Sequence, residues 1–414
     1  EDKGYVFKTK TDSEVLLYGY KAWGEKLCEK LRGMFAILIY DKRKNVVVGA
    51  RDHFGIKPFY YYHKDDVFLF GSEIKSFLPH PNFEKRLYET QLELYLTYQY
   101  SPSNTTFFEN VYKLLPAHYL FWKQGMIEIQ RYWQADFEPN DRKSKEEWEW
   151  EIEKVMKDSV VAHKVSDVEV GSFLSSGVDS SYVTYLAEVE ETFTIGFEEQ
   201  VAKADCKYLL YENMANTGCE YLVYRKGNEF LIDRNEKYNE AKYANKFSSS
   251  IGVKNTVYQI SSEEFFEELP KIQYYMDEPL ADAASVALYF LNREASRKVK
   301  VCLSGEGADE LFGGYNIYKE PFMCEKYESL PLFVRKGVGM IASLFPSGKG
   351  INFLVRHSVP LTQRYIGTTS LFTEKEKKKL MKRFSGKIRV VDIVAPYFKD
   401  FEGQVKKADY MKSN

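Results

Sequence analysis

The chain has 414 residues, room for two or three domains at ~150 residues each. Its 58 Lys and Arg against 60 Asp and Glu leave a formal charge of −2, which argues against a broad basic face for nucleic acid. Hydrophobic residues make up 44%, ample for sizeable cores, yet uncharged, mostly apolar runs such as 34–40 and 337–345 fall far short of the ~18 residues of a membrane span.

Five cysteines (Cys28, Cys206, Cys219, Cys302, Cys324) are scattered without a C-x-x-C pair or metal-ligand spacing, the usage expected of a reducing, cytoplasmic protein. Both ends, Glu1-Asp2 and Lys412-Ser413-Asn414, are expected to be cut ends.

In chain order, residues 12–32 predict a helix. Thr11 or Asp12 is placed to cap it, and Glu14 stands three residues after Thr11, as in a capping box. Residues 34–40, 46–50 and 67–70 are short apolar runs bounded by turn residues, so the first ~130 residues read as mainly β. Apolar content collapses at 137–143, which places a domain boundary there. An amphipathic helix is expected from about Ser144 to His163, with Trp148 and Trp150 packed in a core or interface. Strands at 171–174, 192–197, 256–260 and 299–303 then alternate with helices after Asp179, at 238–251 and at 284–296. That alternation predicts a parallel sheet covered by helices. Residues 198–235 are irregular and polar and read as an insertion, and the charge run 374–379 reads as a solvated helix face.

Two turns carry chemistry. Leu174-Ser-Ser-Gly-Val-Asp-Ser-Ser181 follows a predicted strand and opens a predicted helix, where an open parallel sheet presents ligands. Small residues let backbone N–H groups approach a phosphate, the hydroxyls of Ser175, Ser176, Ser180 and Ser181 can donate to its oxygens, and Asp179 can hold magnesium. The alternative is a Ser-rich capped turn; a Walker A loop is excluded because Gly-Lys-Ser/Thr is missing. Leu303-Ser-Gly-Glu-Gly-Ala-Asp-Glu-Leu-Phe-Gly-Gly-Tyr315 again follows an apolar strand, and Glu306 and Asp309 would share a side if a helical turn starts there. Its alternative is a tight turn with solvated acids.

The first turn resembles the S-G-G-x-D-S-S pyrophosphate loop of ATP pyrophosphatases, with Ser176 in place of the first Gly, and the second is similar to the companion signature of glutamine-hydrolysing asparagine synthetases. The resemblance continues through 193–197, 276–280 and 113–118. Upstream, 31–36, 51–58 and 70–75 are similar to that family's glutaminase domain. The implied fold class is α/β: a truncated α+β N-terminal-nucleophile (glutaminase-like) domain over 1–136, then a parallel-sheet ATP-pyrophosphatase domain over 144–414. The implied reaction is ATP-dependent synthesis of asparagine from aspartate through β-aspartyl-AMP, with ammonia as nitrogen donor, drawn from glutamine in the complete family. Leu174, Ile195, Ser304 and Gly305 would contact ATP, while Ser175, Ser176, Gly177, Ser180 and Ser181 would cradle pyrophosphate. Asp179 and Asp309 would hold Mg2+, and Glu306 would act as base toward ammonia. A homodimer is implied as well.

The resemblance is incomplete at both ends. The family's nucleophile is an N-terminal Cys whose α-amine acts as base; here no Cys precedes Cys28, and Cys28 is expected to be a buried structural thiol. The Asn-Gly-Glu segment is missing, and of the glutamine-binding residues only Asp12 in Thr11-Asp-Ser-Glu14 is matched. Glutaminase activity is therefore expected to be lost. Near the end Tyr410 replaces a basic residue of the family, for which Lys407 or Lys412 could substitute. Two other readings stay open: a related amide or lactam synthetase on the same scaffold, and a non-catalytic remnant. His53 and His118 are expected to pack or hydrogen-bond.

Overall fold

The opening helix is shorter than its pattern predicts. In a computed structural model that describes residues 3–135, 142–197, 201–202, 221–226, 229–234, 240–346, 348–364 and 371–398, α1 (Asp12–Trp23) stops at Gly24, whose φ of +61° only glycine adopts readily. A 3-10 turn, Gly24–Lys30, follows. The expected capping box does not form, because Glu14 turns outward. Its carboxylate accepts from the backbone N–H of Lys8 (2.8 Å) and of Thr9 (2.7 Å) and from the Thr9 hydroxyl, which hold it below its usual range, while Thr11 makes no side-chain cap.

The chain folds as two units: Glu1–Pro139 with Met276–Ala281 and Tyr315–Asn414, and Asn140–Tyr275 with Asp282–Gly314. Part of the predicted boundary, 136–141, and all of 399–414, including Lys407, Tyr410 and Lys412, lie outside the described residues.

In the first unit β1 (Ala36–Asp41), β2 (Val46–Arg51), β3 (Tyr60–Lys64), β4 (Val67–Gly71), α2 (Glu89–Tyr98), β5 (Val111–Lys113), β6 (His118–Lys123) and β7 (Met126–Arg131) build two antiparallel sheets. Their orders are β1-β2-β6-β7 and β4-β3-β5. Alternate residues of the strands turn inward, so Phe59, Tyr61, Leu114 and Leu120 form one cluster and Cys28, Ile37, Ala50 and Tyr119 another. The loop after β2 is tied by two side chains. The Asp52 carboxylate, 1% exposed, accepts from the backbone N–H of Phe35, Phe54, Ile56 and Lys57. The Arg51 guanidinium donates to the carbonyls of Gly55, Lys57 and Leu114. His53 packs edge-on against Phe35, Tyr132 and Trp133, and His118 Nδ1 lies 2.7 Å from the Pro116 carbonyl.

Met276–Ala281 belongs to this unit, held by buried charge. Asp277 pairs with Lys75 at 2.9 Å and accepts from the Ile74 N–H at 2.6 Å. Glu278 accepts from the Ser101 hydroxyl (2.7 Å) and the Phe107 N–H (3.0 Å) and pairs with Lys113.

The second unit begins with α3 (Lys145–His163), which Ser144 and Glu147 close with a capping box. Trp148 and Trp150 are not core: they are 37% and 61% exposed, with the ammonium groups of Lys143 and Lys154 over their rings. Then come β8 (Val170–Phe173), α4 (Val178–Ala187), β9 (Glu191–Phe197), β10 (Val201–Ala202), β11 (Tyr221–Lys226), β12 (Glu229–Arg234), α5 (Glu240–Ser250), β13 (Lys254–Ile260), α6 (Ser262–Met276), α7 (Ala283–Ala295), β14 (Val301–Leu303) and α8 (Ala308–Phe312). The predicted parallel sheet is there, in the order β13-β9-β8-β14. The segment read as an irregular insertion is stranded where described: β10-β12-β11 is an antiparallel sheet, while Cys206 and Cys219 lie outside the described residues.

After residue 314 the chain returns to the first unit as α9 (Glu320–Met323), α10 (Glu325–Glu328), α11 (Leu332–Ala342), α12 (Lys349–Arg356), α13 (Leu361–Arg364), α14 (Glu374–Leu380) and α15 (Val390–Phe398). The Leu371 and Phe372 N–H groups donate to the Thr97 and Leu96 carbonyls, satisfying the end of α2. Within the charge run one lysine is not solvated. Lys377 is fully buried, donating to the Glu93 carbonyl (3.1 Å) and the Glu374 carboxylate (2.8 Å).

Candidate active site

Parallel strands point their C-terminal ends the same way, so β8, β9 and β14 end along one edge of the sheet. Leu174 follows β8, Ile195 lies near the end of β9, and Ser304 follows β14. Three of the segments singled out in the sequence thus meet at that edge.

The first turn is a closed network of hydroxyls. Gly177 takes an extended conformation (φ −75°, ψ 149°) and begins α4. Its carbonyl accepts from the Ser180 hydroxyl (3.1 Å), the Ser181 hydroxyl (2.9 Å) and the Ser181 N–H (3.2 Å). The Ser175 and Ser180 hydroxyls lie 2.8 Å apart, and Ser175 Oγ accepts from the Gly177 N–H at 3.0 Å. Local hydrogen bonds of this kind favour a turn over a longer strand, which is why the strand ends where it does. Ser176 and Gly177 are exposed, Asp179 is half-buried, and Leu174 is buried.

The second turn packs onto the first. A β-carbon on Gly305 would lie 2.8 Å from the Ser180 nitrogen and 3.1 Å from the Asp179 carbonyl carbon, so only glycine permits this approach. Gly307 is left-handed (φ +88°) and separates Glu306 from α8, so Glu306 and Asp309 are not neighbours on one helical turn, as their spacing predicted. Glu306 is exposed; Asp309 is half-buried, and Gly314 leaves the room its carboxylate occupies. Among the described residues no three His, Cys, Asp or Glu side chains converge as a ready-made metal cage. Asp179 stands in the first turn of α4 and Asp309 in the first turn of α8, two carboxylates whose chemistry would suit a cation that completes its shell with phosphate oxygens and water.

Sequence reasoning missed the polar groups beneath these turns. Ser172, Thr192 and Thr194 in the sheet and Thr184 on α4 are all at most 1% exposed, where parallel strands covered on both faces would ordinarily be apolar. The Ser172 and Thr184 hydroxyls lie 2.9 Å apart and tie β8 to α4. β-branched Thr is an ordinary strand residue, so nothing in the pattern flags it.

In the other unit Asp12 opens α1 with its side chain exposed. Cys28 is 4% exposed, and burial pushes its thiol up to about 12, an environment for packing rather than nucleophilic attack. Sequence inspection also missed Cys324, His357 and Glu328. Cys324 Sγ lies 3.5 Å from His357 Nε2, and His357 Nδ1 lies 2.7 Å from Glu328, the spacing of a nucleophile, a base and its orienter. Cys324 and His357 are buried, which raises the thiol and lowers the imidazole, while Glu328 is half-buried; with Arg356 and Arg364 on Glu320 and Glu328 they staple the terminal helices.

Among the described residues no helix is long and apolar enough to cross a membrane. Residues 151–391 match the Asparagine synthase family, and residues 1–133 match a glutamine amidotransferase domain. The chain is 37% identical over 404 residues to asparagine synthetase (glutamine-hydrolyzing) 1 of Bacillus subtilis (strain 168), covering 96% of this chain and 58% of that protein. It is 32% identical over 412 residues to a putative asparagine synthetase of Mycobacterium bovis, covering 97% and 58%. A third relative, putative asparagine synthetase 2 of Methanocaldococcus jannaschii, is 30% identical over 358 residues, covering 83% and 61%. The chain therefore spans about six-tenths of the length of these relatives.

Proposed function

The chain belongs to the asparagine synthase family, and we propose that it makes asparagine from aspartate, ATP and ammonia. One observation carries this reading: the Gly305 turn seats directly on the backbone of Asp179 and Ser180, so both turns form one surface at the ligand-binding edge of a parallel sheet.

In the first step an oxygen of the aspartate β-carboxylate attacks the α-phosphorus of ATP. The bond from that phosphorus to the bridging oxygen breaks, and pyrophosphate leaves. Ser175, Ser180 and Ser181 receive it by exchanging their present partners, Ser180 Oγ and the Gly177 carbonyl, for phosphate oxygens. The N–H groups that open α4, with Ser176 and Gly177 exposed beside them, add positive potential. Leu174, Ile195, Ser304 and Gly305 hold the nucleotide. Asp179 and Asp309 would hold Mg2+, whose positive charge would offset that of the departing pyrophosphate.

In the second step ammonia attacks the β-acyl carbon of the aspartyl adenylate. The carbon–oxygen bond to AMP breaks, and Glu306 takes a proton from the attacking nitrogen; its exposure in the Gly-flanked turn leaves it free to reach that atom. Cys28 takes no part, its thiol buried and protonated. Asp12 is the position at which a glutamine α-amine would be received. A cytoplasmic homodimer goes with the same reading and rests on the family resemblance.

The test is pyrophosphate and asparagine formation from aspartate and ATP, with ammonium in one reaction and glutamine in another. Asparagine with ammonium is expected. Equal rates with glutamine would overturn the choice of nitrogen donor, and ATP turnover indifferent to aspartate would point to another acid on the same scaffold. Failure of ATP to raise the melting temperature would remove the enzymatic reading altogether.

A further inference from the structure

Leu174 is the residue at which β8 becomes the phosphate-facing turn, and its backbone is held from β9. Its N–H donates to the Phe193 carbonyl at 2.9 Å, and its carbonyl accepts the Thr194 hydroxyl at 2.8 Å. Thr194 is 1% exposed and lies one residue before Ile195, another expected nucleotide contact. The same hydroxyl oxygen stands 3.0 Å from the Asn255 amide on β13, which also stands 2.9 Å from the Thr192 hydroxyl and 2.8 Å from Asn245 on α5.

Proton counting orients this chain. A threonine hydroxyl has one proton. If Asn255 turned its oxygen toward both threonines, Thr194 could not satisfy both that oxygen and the Leu174 carbonyl. The amide's oxygen and nitrogen are interchangeable by a half-turn, so the network decides between them. With its NH2 toward Thr192 and Thr194, every group is satisfied. In the structure Asn255 Oδ1 faces both hydroxyls and Asn255 Nδ2 donates to Asn245 Oδ1; after a half-turn of both amides, Asn245 being exposed, Asn255 would donate to both hydroxyls, leaving Thr194 to donate to Leu174 and Thr192 to the Lys254 carbonyl at 3.2 Å.

We propose that Thr194, aligned by Asn255, is a positioning residue that fixes the Leu174 carbonyl and through it the turn that receives ATP. This rests on the reading of that turn as the nucleotide site. The Thr194 hydroxyl bonds the Leu174 carbonyl where the ladder ends, which a valine of the same shape cannot do.

The experiment compares Thr194→Val, Thr194→Ser and Thr192→Val in the full chain. Thr192 is the control: same strand, same face, equally buried, in contact with Asn255 but not with Leu174. Thr194→Val is expected to raise the KM for ATP about 10-fold, in line with the cost of a slightly misplaced site, with a smaller change in kcat. Thr194→Ser restores it, and Thr192→Val loses melting temperature without moving KM. Equal KM shifts in Thr194→Val and Thr192→Val, or none in either, overturn the proposal. If Thr194→Val does not fold, Thr194→Ala is read the same way. If the wild type makes no asparagine, the functional reading fails by itself; the positioning claim is then decided by whether the ATP-induced rise in melting temperature shrinks in Thr194→Val and not in Thr192→Val.

Discussion

Gly305 lies against Ser180 so closely that a methyl on its α-carbon would sit 2.8 Å from the Ser180 nitrogen, inside the distance real β-carbons keep. The neighbour is backbone, which cannot swing aside as a flexible side chain would. The two motifs, 125 positions apart in the numbering from Ser180 to Gly305, are in this sense one structural element.

Gly305→Ala is therefore expected to push the turns apart. Overpacking of this kind costs about 1–3 kcal/mol, and asparagine formation should fall by more than that loss of stability explains. Thermal unfolding and pyrophosphate release, measured on the same preparation, separate the two effects. A variant with normal activity would show that the contact is incidental.

Glu306→Gln keeps size and hydrogen bonding but removes the base. Ammonia-dependent asparagine formation is expected to drop by about 10²–10⁴-fold, while aspartate-dependent exchange of pyrophosphate into ATP, which needs only the first step, survives. Exchange falling in parallel would assign Glu306 to adenylate formation instead.

Asp52→Asn tests the loop after β2. The carboxylate is acceptor-only and meets four backbone N–H groups, so an amide nitrogen turns a donor toward donors. The expected loss is about 1–3 kcal/mol in urea unfolding. Unchanged stability would mean that the loop reorganises freely.

Glu191, at the start of β9, is pulled in two directions. Burial raises its carboxyl, but hydrogen bonds from Lys298, Thr256 and Lys254 outweigh this and lower it from 4.5 to about 2. A lowered folded-state value means the ionised form stabilises the fold. Its contribution is complete above the unfolded value near 4.5 and is lost as the pH falls toward 2. Glu191→Gln should be less stable than wild type at pH 7, and the difference in unfolding midpoint should close between pH 4.5 and 2. A difference independent of pH would refute the ion pair's role.

How much of this was legible beforehand depended on what each residue's pattern advertises. Leu174-Ser-Ser-Gly and Ser304-Gly305 were legible because strands end where small residues and hydroxyls offer the backbone other partners. The alternation that predicts a parallel sheet likewise predicts that both turns leave it at one edge. Thr194 and Asn255 were not legible, since a threonine in a strand looks like any β-branched residue until a carbonyl is found beside it. Lys377 misled for a related reason: six charges in six positions read as solvated, and only α2 beneath them shows one ammonium seated on the Glu93 carbonyl.

The linear order of the chain determined which groups are available at the site: hydroxyls and glycines of a kind that could serve phosphate, carboxylates that could serve a cation or a proton, in segments next to parallel strands. Tertiary structure alone decided which of these groups meet and how each is oriented. Gly305 contacts Ser180, and Thr194 holds Leu174, across separations no local pattern spans. The reason is physical. Periodicity encodes which face of an element is buried, whereas the partner of a buried polar atom is set by packing between elements far apart in the chain.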